Sequence, residues 1–476
     1  MSGGISSILS MATRAMNVQQ TVLQIASQNM SNATTEGYSR QRVELTEAGA
    51  TVFTYGSVGT GVMIQGITRA RDGILDTAYR QGSAGAAAAD TQSTALSQIQ
   101  SIFGEPSDTG LNAALDKFWA AWDDLSTDPT NSAAKSVVKE AGNNVAATLN
   151  RYASQLDQLS ANNRQRMVVD VARVNELTTH IAKLNDQIVA AETGGQTAND
   201  LRDARDKDLD EISQLIGAQV VEHQNGSVAV YAGGRMLVDG TVMRSLQVDA
   251  GTPPTVSFGN GSAPIDALGG SLGAEVVVST QTIPDVMARL DALASTLVQT
   301  VNSIHTAGTV YSGVPMTASP GGNFFDVTTP APTGTDPRLT ARGIRLSPTL
   351  TTATVATAGA GTSGPGNNDT ALALANLRDS LVSFTNADGT TQTTKFGDFY
   401  SEAVGHVATM TQHAQDDATV QHTLASNADT RRQGVSGVNT DEELIKVIQA
   451  QHAYQGAARL VSVIDEMMDT LVNLGR

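Results

Sequence analysis

Residues 31–44, SNATTEGYSRQRVE, mark the point where a long helical pattern ends and an extended pattern begins. Gly37 comes just after the helical residues, and glycine is the usual residue past a helix end because it tolerates a positive φ. Arg42, Val43 and Leu45 then alternate as in a short strand. The residues of this region that we single out are Asn29, Asn32, Thr34, Gly37, Tyr38 and Arg40. The stretch therefore predicts a helix terminator followed by a docking arm.

The first thirty or so residues have the hydrophobic periodicity of an amphipathic helix. Apolar residues recur at the alternating spacing of three and four that is typical of a coiled-coil seam, with Gln19 in the one missing position. The seam residues are Ile5, Leu9, Ala12, Met16, Leu23, Ala26 and Met30. Arg14 is the only charged side chain before Glu36. Such a weakly charged helix suits burial on several sides in an assembly, although a helix packed on its own domain would show the same pattern.

A second apolar seam lies at the other end of the chain. A helix is predicted from Asp441, because Asp441, Glu442 and Glu443 in its first turn complement the helix dipole. Gln451 interrupts its apolar face, which consists of Leu444, Val447, Ile448, Tyr454, Ala458, Val461, Ile464, Met468 and Leu471. Each terminal helix would be about 45 Å long at 1.5 Å per residue. The two can pair as a coiled coil only if the rest of the chain is looped out between them.

The chain between the terminal helices alternates between helical and extended periodicity. Residues 86–216 are predicted to be mostly helical, and the period changes to two after Gly217. The pairs Asn225-Gly226 and Gly233-Gly234 are hairpin signals. The remaining predictions are a Gly-, Pro-, Ser- and Thr-rich stretch to about 274, a helix over 284–305, irregular or β structure over 308–369 and helices from 370 to about 430.

This nested order predicts a mainly α fold with inserted β structure. Residues 1–60 plus 431–476 would form a terminal coiled-coil assembly domain. Residues 61–216 plus 275–308 plus 367–430 would form a long helical-bundle rod domain, and 217–274 plus 309–366 a smaller outer β-rich domain. The chain ends would then lie together at one end of the rod and the β domain at the other.

The composition argues against several classes of function. The net charge of -17, from 47 acidic and 30 basic residues, would repel a phosphate backbone, so neither nucleic acid nor a membrane surface is expected as a partner. The chain has no cysteine, which excludes disulfides and thiolate chemistry. No stretch approaches the roughly 20 apolar residues of a membrane helix. The N-terminus lacks the pattern of a cleaved signal peptide, so a secreted protein of this sequence would need another export route.

No residue pattern indicates catalysis, a cofactor or a metal site. The histidines, at positions 180, 223, 305, 406, 413, 422 and 452, include no pair at the spacing of a helical metal site. Gly359, Gly361 and Gly364 spell G-x-G-x-x-G, but no helix pattern follows them, so a flexible linker is expected. Trp119 and Trp122 sit three apart on one helix face, where core packing is the ordinary explanation.

A run of charges, LRDARDKDLDEISQL, begins at Leu201. It has the spacing of a solvated helix, because Asp203 with Lys207 and Arg202 with Asp206 are four residues apart and can form surface ion pairs. The sequence therefore predicts an exposed helical face here and no pair of catalytic carboxylates.

The stretch ASQNMSNATTEGYSR, residues 26–40, resembles the N-terminal signature of bacterial flagellar rod, hook and hook-associated proteins. Further similar blocks are GTGVMIQGITRARDGILDTAYR from Gly59, FWAAWDDLSTDPTNSAAKSVV from Phe118, DLRDARDKDLDEISQLIG from Asp200 and SGVNTDEELIKVIQAQHAYQGAARLVSVIDEMMDTLVNL from Ser436. Taken in order, these blocks resemble the flagellar hook-associated protein 1 (FlgK) family of hook-filament junction proteins.

The resemblance implies a structural protein without enzymatic activity or cofactors, located outside the cell in the flagellum and exported by the flagellar type III apparatus without a cleaved signal peptide. The implied partners are hook protein, the second junction protein (hook-associated protein 3), an export chaperone on the C-terminal helix and further copies of the chain in a homo-oligomeric ring. Both terminal helices are expected to be disordered in the free monomer and to pair on assembly. Their seam residues and the signature residues named above would form the assembly interface.

Three alternatives remain at this point. Hook protein or a distal rod protein shares the signature but lacks the long helical middle of this chain. A cytoplasmic coiled-coil scaffold would have folded terminal helices in the isolated monomer. A secreted enzyme would need a ligand or nucleophile constellation.

Overall fold

The computed structural model describes residues 2–53, 56–259, 262–312, 316–327, 341–361, 364–386 and 389–474, and this part of the chain is mostly helical. Its α-helices are α1 Ser2–Ser31, α2 Gly73–Phe103, α3 Leu111–Thr127, α4 Ser132–Glu192, α5 Asn199–Ile216, α6 Gly270–Val277, α7 Ile283–Ala307, α8 Asp369–Ala375, α9 Phe396–Ser436 and α10 Thr440–Leu474. A π-helical turn, Val278–Thr282, joins α6 to α7, and short 3₁₀ turns occupy Thr352–Thr354 and Asn376–Arg378.

The strands form small antiparallel sheets. They are β1 Gln41–Glu47, β2 Ala50–Phe53, β3 Gly56–Gly59, β4 Val62–Arg69, β5 Gln219–Glu222, β6 Val228–Ala232, β7 Arg235–Asp239, β8 Val242–Met243, β9 Gln247–Val248, β10 Val256–Ser257, β11 Thr309–Ser312, β12 Thr317–Pro320, β13 Phe325–Val327, β14 Ile344–Leu346, β15 Val382–Thr385 and β16 Thr391–Thr394. A four-stranded sheet has the order β5-β6-β7-β8, and the other strands pair as β1-β4, β2-β3, β9-β10, β11-β12, β13-β14 and β15-β16.

Local sequence explains where many of these elements begin and end. The side chains of Asp72 and Asn131 accept backbone N–H groups at the starts of α2 and α4, which satisfies donors that the helix leaves unpaired. Gly217 ends α5 at a φ of 62°. Gly233 and Gly234, with φ of 52° and 73°, form the two-residue turn between β6 and β7. The predicted hairpin is therefore confirmed, because both central positions of such a turn require positive φ.

Long helices pack as antiparallel pairs. The C-terminal end of α1 meets the first turn of α10, and the two helices lie side by side. Helices α2 and α9 form a second pair with very small side chains between them. A Cβ added at Gly82 would lie 3.1 Å from the Cα of Ala425, and one at Gly85 would lie 2.7 Å from an oxygen of Gln421. The small residues of α2 therefore let the two backbones approach closely.

Two hydrophobic clusters lie along the molecule. The first joins α3, the first half of α4, α7, the start of α9 and residues near β13, with Trp119 and Trp122 2% and 0% exposed. This burial confirms the core packing expected for both tryptophans. The second cluster joins the second half of α4 to α5 and the β5-β8 sheet, and it includes Met167, Val230 and Leu237.

The predicted single outer β domain differs from this arrangement. Residues of 217–274 belong to the second cluster, whereas Phe324 and Phe325 of 309–366 belong to the first. Helix α4, with 61 residues, is about 90 Å long, so each β region packs against a different half of it. The β5-β8 sheet also lies beside α5, close to the chain ends and not at the far end of the rod: Arg205 of α5 donates a 2.6 Å hydrogen bond to Gly226 O.

Two further elements were not predicted. The helix predicted over 284–305 corresponds to α7, Ile283–Ala307, but another helix, α6, begins at Gly270, inside the Gly-, Pro-, Ser- and Thr-rich stretch where no helix was predicted. The β15-β16 hairpin interrupts the helices predicted from 370 to 430. Phe384 of β15 is fully buried and stacks on Phe399 at 4.2 Å between ring centroids. Tertiary packing of this aromatic ring accounts for a strand that helical periodicity did not indicate.

Candidate assembly site: the terminal hairpin and its junction

The two terminal helices of the chain form a hairpin. Helix α1 contacts α10 along its length and also contacts β1 and β4. We call α1, β1 to β4 and α10 the terminal unit. The remaining helices form the rod.

Burial on α1 follows a different register from the predicted seam. Of the predicted seam, Ala12 and Ala26 are buried, and the exposed fraction of Met30 is 37%. Val18 and Ile25, which the predicted seam omits, are 3% and 7% exposed. Because α1 packs on two strands as well as on α10, its buried residues occupy more than one seam. The half-buried members of the predicted seam are Ile5, Leu9, Met16 and Leu23.

On α10, residues of the predicted apolar face differ in how far they are covered. Ile464 is buried, while Leu444, Ile448 and Met468 are 48%, 46% and 45% exposed. Val447, Tyr454, Ala458 and Val461 are half-buried, and the side chain of Leu471 lies outside the described residues. The covered face of the helix alternates at spacings of four and three and consists of Glu443, Val447, Ala450, Tyr454, Ala457, Val461 and Ile464. Sequence reasoning missed Glu443, Ala450 and Ala457 because they are acidic or small.

The opposite face of α10 carries a stripe of exposed apolar side chains. Its members, which we call the α10 stripe, are Ile445, Ile448, Leu460, Val463 and Met467, with exposed fractions between 43% and 54%. The members form two groups on this face, at residues 445–448 and 460–467. Isolated exposed apolar residues are normal on proteins, but two such groups on one face of a helix indicate an interaction site.

Asn29 is the centre of the junction at the base of the hairpin. Its side chain is 0% exposed. The Nδ2 group donates to Gln41 O at 2.8 Å and to Glu443 Oε2 at 3.0 Å, and Oδ1 accepts from Tyr38 Oη at 2.8 Å and from Gln41 N at 2.9 Å. Both donors and both acceptor positions of the amide are therefore used. The residue connects α1, the segment that follows it and α10.

The other signature residues surround this amide. Burial raises the pKa of Tyr38 to about 12, with the carboxylates of Asp203, Asp200 and Glu443 contributing, so its hydroxyl stays protonated and donates to Asn29. Gly37 has a φ of 82°, as expected of a helix terminator, and is exposed. Two signature residues make no junction contact: Asn32 is half-buried and bonds Gln28 O of its own helix, and Thr34 is exposed.

Arg40 attaches the same segment to the connection between α9 and α10. Its backbone N–H donates to Ser436 O at 2.8 Å. Its guanidinium donates to Val435 O at 3.2 Å and pairs with Glu442 at 3.0 Å. Polar residues therefore attach the segment that follows α1 to the end of α9 and to the first turn of α10.

The charge run of α5 was wrongly predicted to be a solvated face. Asp203 and Asp206 are 8% and 9% exposed. Asp203 accepts from Ser39 Oγ at 2.6 Å and from Arg69 at 2.7 Å, and Lys207 pairs with Glu36 instead of Asp203. The prediction failed because α5 is packed between the terminal unit and the β5-β8 sheet. The i, i+3, i+7 spacing of Asp203, Asp206 and Asp210 was the signal that could have indicated a single acidic face.

Several histidines of the described residues lie beside a carboxylate, among them His180 beside Asp208. No group of three or more His, Asp or Glu side chains there is placed to hold a metal ion. His305 is fully buried, with Nδ1 2.6 Å from Gly322 O and Nε2 3.0 Å from the backbone nitrogen of Ala356, so it joins α7 to the irregular region. Across the described ranges, no helix has the length and apolar character required to span a membrane.

Comparison with known proteins gives the family. The family model "Flagellar hook-associated protein FlgK helical domain" matches residues 96–325, and "Flagellar basal body rod FlgEFG protein C-terminal" matches 433–474. Flagellar hook-associated protein 1 of Bacillus subtilis (strain 168) is 30% identical, over 98% of this chain and 97% of that protein. This chain belongs to the flagellar hook-associated protein 1 family.

More distant similarities also extend over most of the chain. Flagellar hook-associated protein 1 of Escherichia coli (strain K12) is 23% identical over 99% of this chain and 100% of that protein. The solved structure of the flagellar hook junction protein FlgK from Burkholderia pseudomallei is 18% identical and superposes with a TM-score of 0.64 over 77% of this chain and 100% of that chain. At this identity the likeness shows that the two proteins share a fold.

Proposed function

We propose that this member of the flagellar hook-associated protein 1 family is a structural subunit of the junction between the flagellar hook and filament. In this role the terminal hairpin is its assembly surface. The observation that carries the proposal is the α10 stripe, a row of apolar side chains exposed on a helix whose other face already packs on α1. Burial of such a stripe against neighbouring subunits would stabilise a ring.

The partners follow from the same role. Copies of the chain form the ring, with hook protein on one side and the second junction protein, hook-associated protein 3, on the other. A chaperone covers the exposed residues of α10 before export through the flagellar type III apparatus, and the assembled protein is extracellular. The long helical middle formed by α2 to α5 argues against a hook or distal rod protein.

The proposal also assigns a role to each part of the chain. Residues 1–60 plus 431–476 act in assembly, and 61–216 plus 275–308 plus 367–430 form the rod on which the two β regions pack. The predicted interface residues that the structure leaves exposed, among them Met30, Leu444, Ile448 and Met468, are available for contacts between subunits.

The test is a matched pair of substitutions. Val463 in the α10 stripe is 51% exposed, and Val137 on α4 is 57% exposed. Val463→Asp should leave the monomer folded, with an unchanged circular dichroism melting curve, and cells that carry only this variant should lack attached filaments. Val137→Asp should behave as wild type in both measurements. Normal filaments on Val463→Asp cells would contradict the proposed surface.

The half-buried residues Leu23 and Val461 test the hairpin contact itself. Leu23→Asp and Val461→Asp should also stop incorporation while the rod stays folded. Since these two side chains lie partly inside the hairpin, we expect their variants to loosen the terminal helices as well.

A further inference from the structure

One face of α5 carries a compact set of buried ion pairs. Asp203, Asp206 and Asp210 lie three and four residues apart, and their side chains are 10%, 12% and 18% exposed. Their partners are Arg69 at the end of β4, Arg71 between β4 and α2, Arg80 of α2 and Arg432 of α9. We call these side chains, together with Asp76, the α5 cluster.

Asp206 is the most highly connected carboxylate of the cluster. It lies 2.7 Å from Arg69, 3.1 Å from Arg71 and 3.3 Å from Arg80. Burial alone would raise its pKa, but the three guanidinium groups hold that pKa below its ordinary value. The carboxylate therefore stays charged at neutral pH and depends on all three arginines.

Each arginine of the cluster pairs with at least one carboxylate. Arg71 also forms a two-bond pair with Asp76, at 3.1 Å and 2.7 Å, and Arg432 also pairs with Asp429 at 3.2 Å. Buried ion pairs add little net stability, but each one demands a defined geometry, and a buried charge that loses its partner is costly. Planar guanidinium groups that contact two carboxylates fix direction as well as distance.

The cluster lies where the terminal unit joins the rod. The chain passes from β4 to α2 through Arg69 and Arg71, and it passes from α9 to α10 just after Arg432. Ser39, which follows α1, donates to Asp203 and accepts from Arg71 at 3.3 Å. Carboxylates of α5 therefore contact both places where the chain passes between the terminal unit and the rod. They also contact the segment after α1.

We propose that Asp206 is a positioning residue which, with Asp203 and Asp210, sets the orientation of the terminal unit relative to the rod. A fixed orientation presents the α10 stripe of every copy at the same angle, as a closed ring requires. The value of this orientation for assembly rests on the proposed function, whereas the orientation itself is a property of the single chain.

The chain has no cysteine, so labels can be introduced without removing native thiols. Gln449 on α10 and Thr179 on α4 are exposed and report on the terminal unit and the rod, and exposed Gln98 on α2 provides a second rod position. We would attach nitroxide labels to Gln449→Cys with Thr179→Cys, and separately to Gln98→Cys with Thr179→Cys. Double electron–electron resonance on the full chain then gives the two distance distributions.

Asp206→Asn removes one charge without a change in size. Its matched control is Asp208→Asn on the same helix, because Asp208 pairs with His180 outside the cluster and its side chain is 13% exposed, like that of Asp206 at 12%. We expect Asp206→Asn to shift and broaden the distribution between α10 and α4 while the distribution within the rod stays unchanged. Asp208→Asn should alter neither distribution.

Ser39→Ala leaves every charge in place and serves as a second, milder variant should Asp206→Asn fail to fold. It should shift the α10–α4 distribution in the same direction as Asp206→Asn does, and broaden it, by a smaller amount. The proposal is overturned if both variants keep the wild-type α10–α4 distribution, or if that distribution is already as broad in the wild type. Neither result bears on the filament phenotype of Val463→Asp, so failure of this inference and failure of the proposed function are distinguishable.

Discussion

Asn29 Nδ2 donates a 3.0 Å hydrogen bond to Glu443 Oε2, a side chain 414 residues away in the chain. Both residues are buried, with exposed fractions of 0% and 1%. Lys446 also contacts Glu443, so the carboxylate is paired on two sides. The two ends of the chain are therefore joined by a specific polar contact at the base of the hairpin, whereas apolar contacts hold the rest of it together.

Asn29→Ala should open this junction. The substitution leaves Tyr38 Oη, both backbone groups of Gln41 and Glu443 without their partner. An unsatisfied buried polar group costs about 1 to 3 kcal/mol, so we expect a loss of about 2 kcal/mol in local stability. Amide hydrogen exchange at Gln41 should then become roughly 30-fold faster.

The control for this variant is Asn32→Ala. Asn32 is half-buried, and its side chain has only local partners: Nδ2 donates to Gln28 O and Oδ1 accepts from Thr35 Oγ1. We expect little change in exchange at Gln41 in this protein. Equal rates in the two variants would show that Asn29 does not hold the junction.

In the free monomer, the rate of amide hydrogen exchange should increase from the base of the hairpin towards its tips. The junction residues are held by several buried hydrogen bonds, whereas on α10 beyond Ala450 only Ile464 among the described side chains is buried. We expect amides near Gln41 and Val447 to be protected, and amides near Met11 and Leu460 to exchange rapidly until assembly. Slow exchange at both tips in the monomer would show that the hairpin is complete before it meets a partner.

Glu275 should make the rod less stable at alkaline pH. Burial raises its pKa to about 8, the carboxylate of Asp170 adds to the rise, and Arg166 at 3.5 Å opposes it. A carboxyl whose pKa is higher in the folded than in the unfolded protein stabilises the fold below the unfolded value, about 4.3, and that contribution is lost as pH rises towards about 8. Urea unfolding midpoints should therefore fall over this range.

Glu275→Gln mimics the protonated side chain and should flatten this decline. Glu140→Gln, at an exposed position on α4, removes the same charge and should leave the decline in place. If the wild type and Glu275→Gln lose stability in parallel between pH 5 and about 8, the buried carboxyl is not responsible for it.

His305 should have the opposite effect, because its contribution to stability is lost as pH falls. Burial lowers its pKa, although the hydrogen bond to Gly322 O opposes the shift. The second ring nitrogen, Nε2, lies 3.0 Å from the backbone nitrogen of Ala356. Nδ1 donates and Nε2 accepts, so the neutral ring is the form that fits. A histidine with a lowered pKa stabilises the fold above its unfolded value, about 6.5, and this contribution is lost as pH falls.

Replacement of the ring tests the assignment of this acid-side loss to His305. His305→Gln retains one donor and one acceptor but does not bind a proton in this range. We expect the unfolding midpoint of the wild type to decrease relative to that of this variant as pH falls from 7 to about 5, because the Glu275 contribution is common to both proteins and cancels in the difference. A difference between the two midpoints that stays constant over this range would rule out His305 as the source of an acid-side loss.

Much of the fold could be predicted because local patterns determine it. The C-terminal helix was predicted from Asp441 and begins at Thr440, and the first helix ends before Gly37 as predicted. Helical periodicity and the positions of turn-forming glycines are determined by residues close in sequence, so they can be recognised without tertiary information. The strand that contains Phe384 was missed because its stabilising partner, Phe399, belongs to another element.

The candidate site could be predicted only in part. The sequence indicated the two terminal helices and singled out Asn29, Tyr38 and Arg40. It did not indicate the residues of α9 and α10 that Asn29 and Arg40 contact. The register of the hairpin was not predictable, since α1 packs on strands as well as on α10 and therefore buries Val18 and Ile25.

The sequence by itself determined that this chain has long amphipathic helices at both ends and a helical middle with hairpins, because apolar spacing is a local property. Only the tertiary structure decided which charged residues are buried. The charge pattern of its own helix predicts that Asp206 is solvated, but folding brings Arg69, Arg71 and Arg80 into contact with it. A charge can remain buried when distant parts of the chain supply its partners, and spacing along one helix carries no information about those partners.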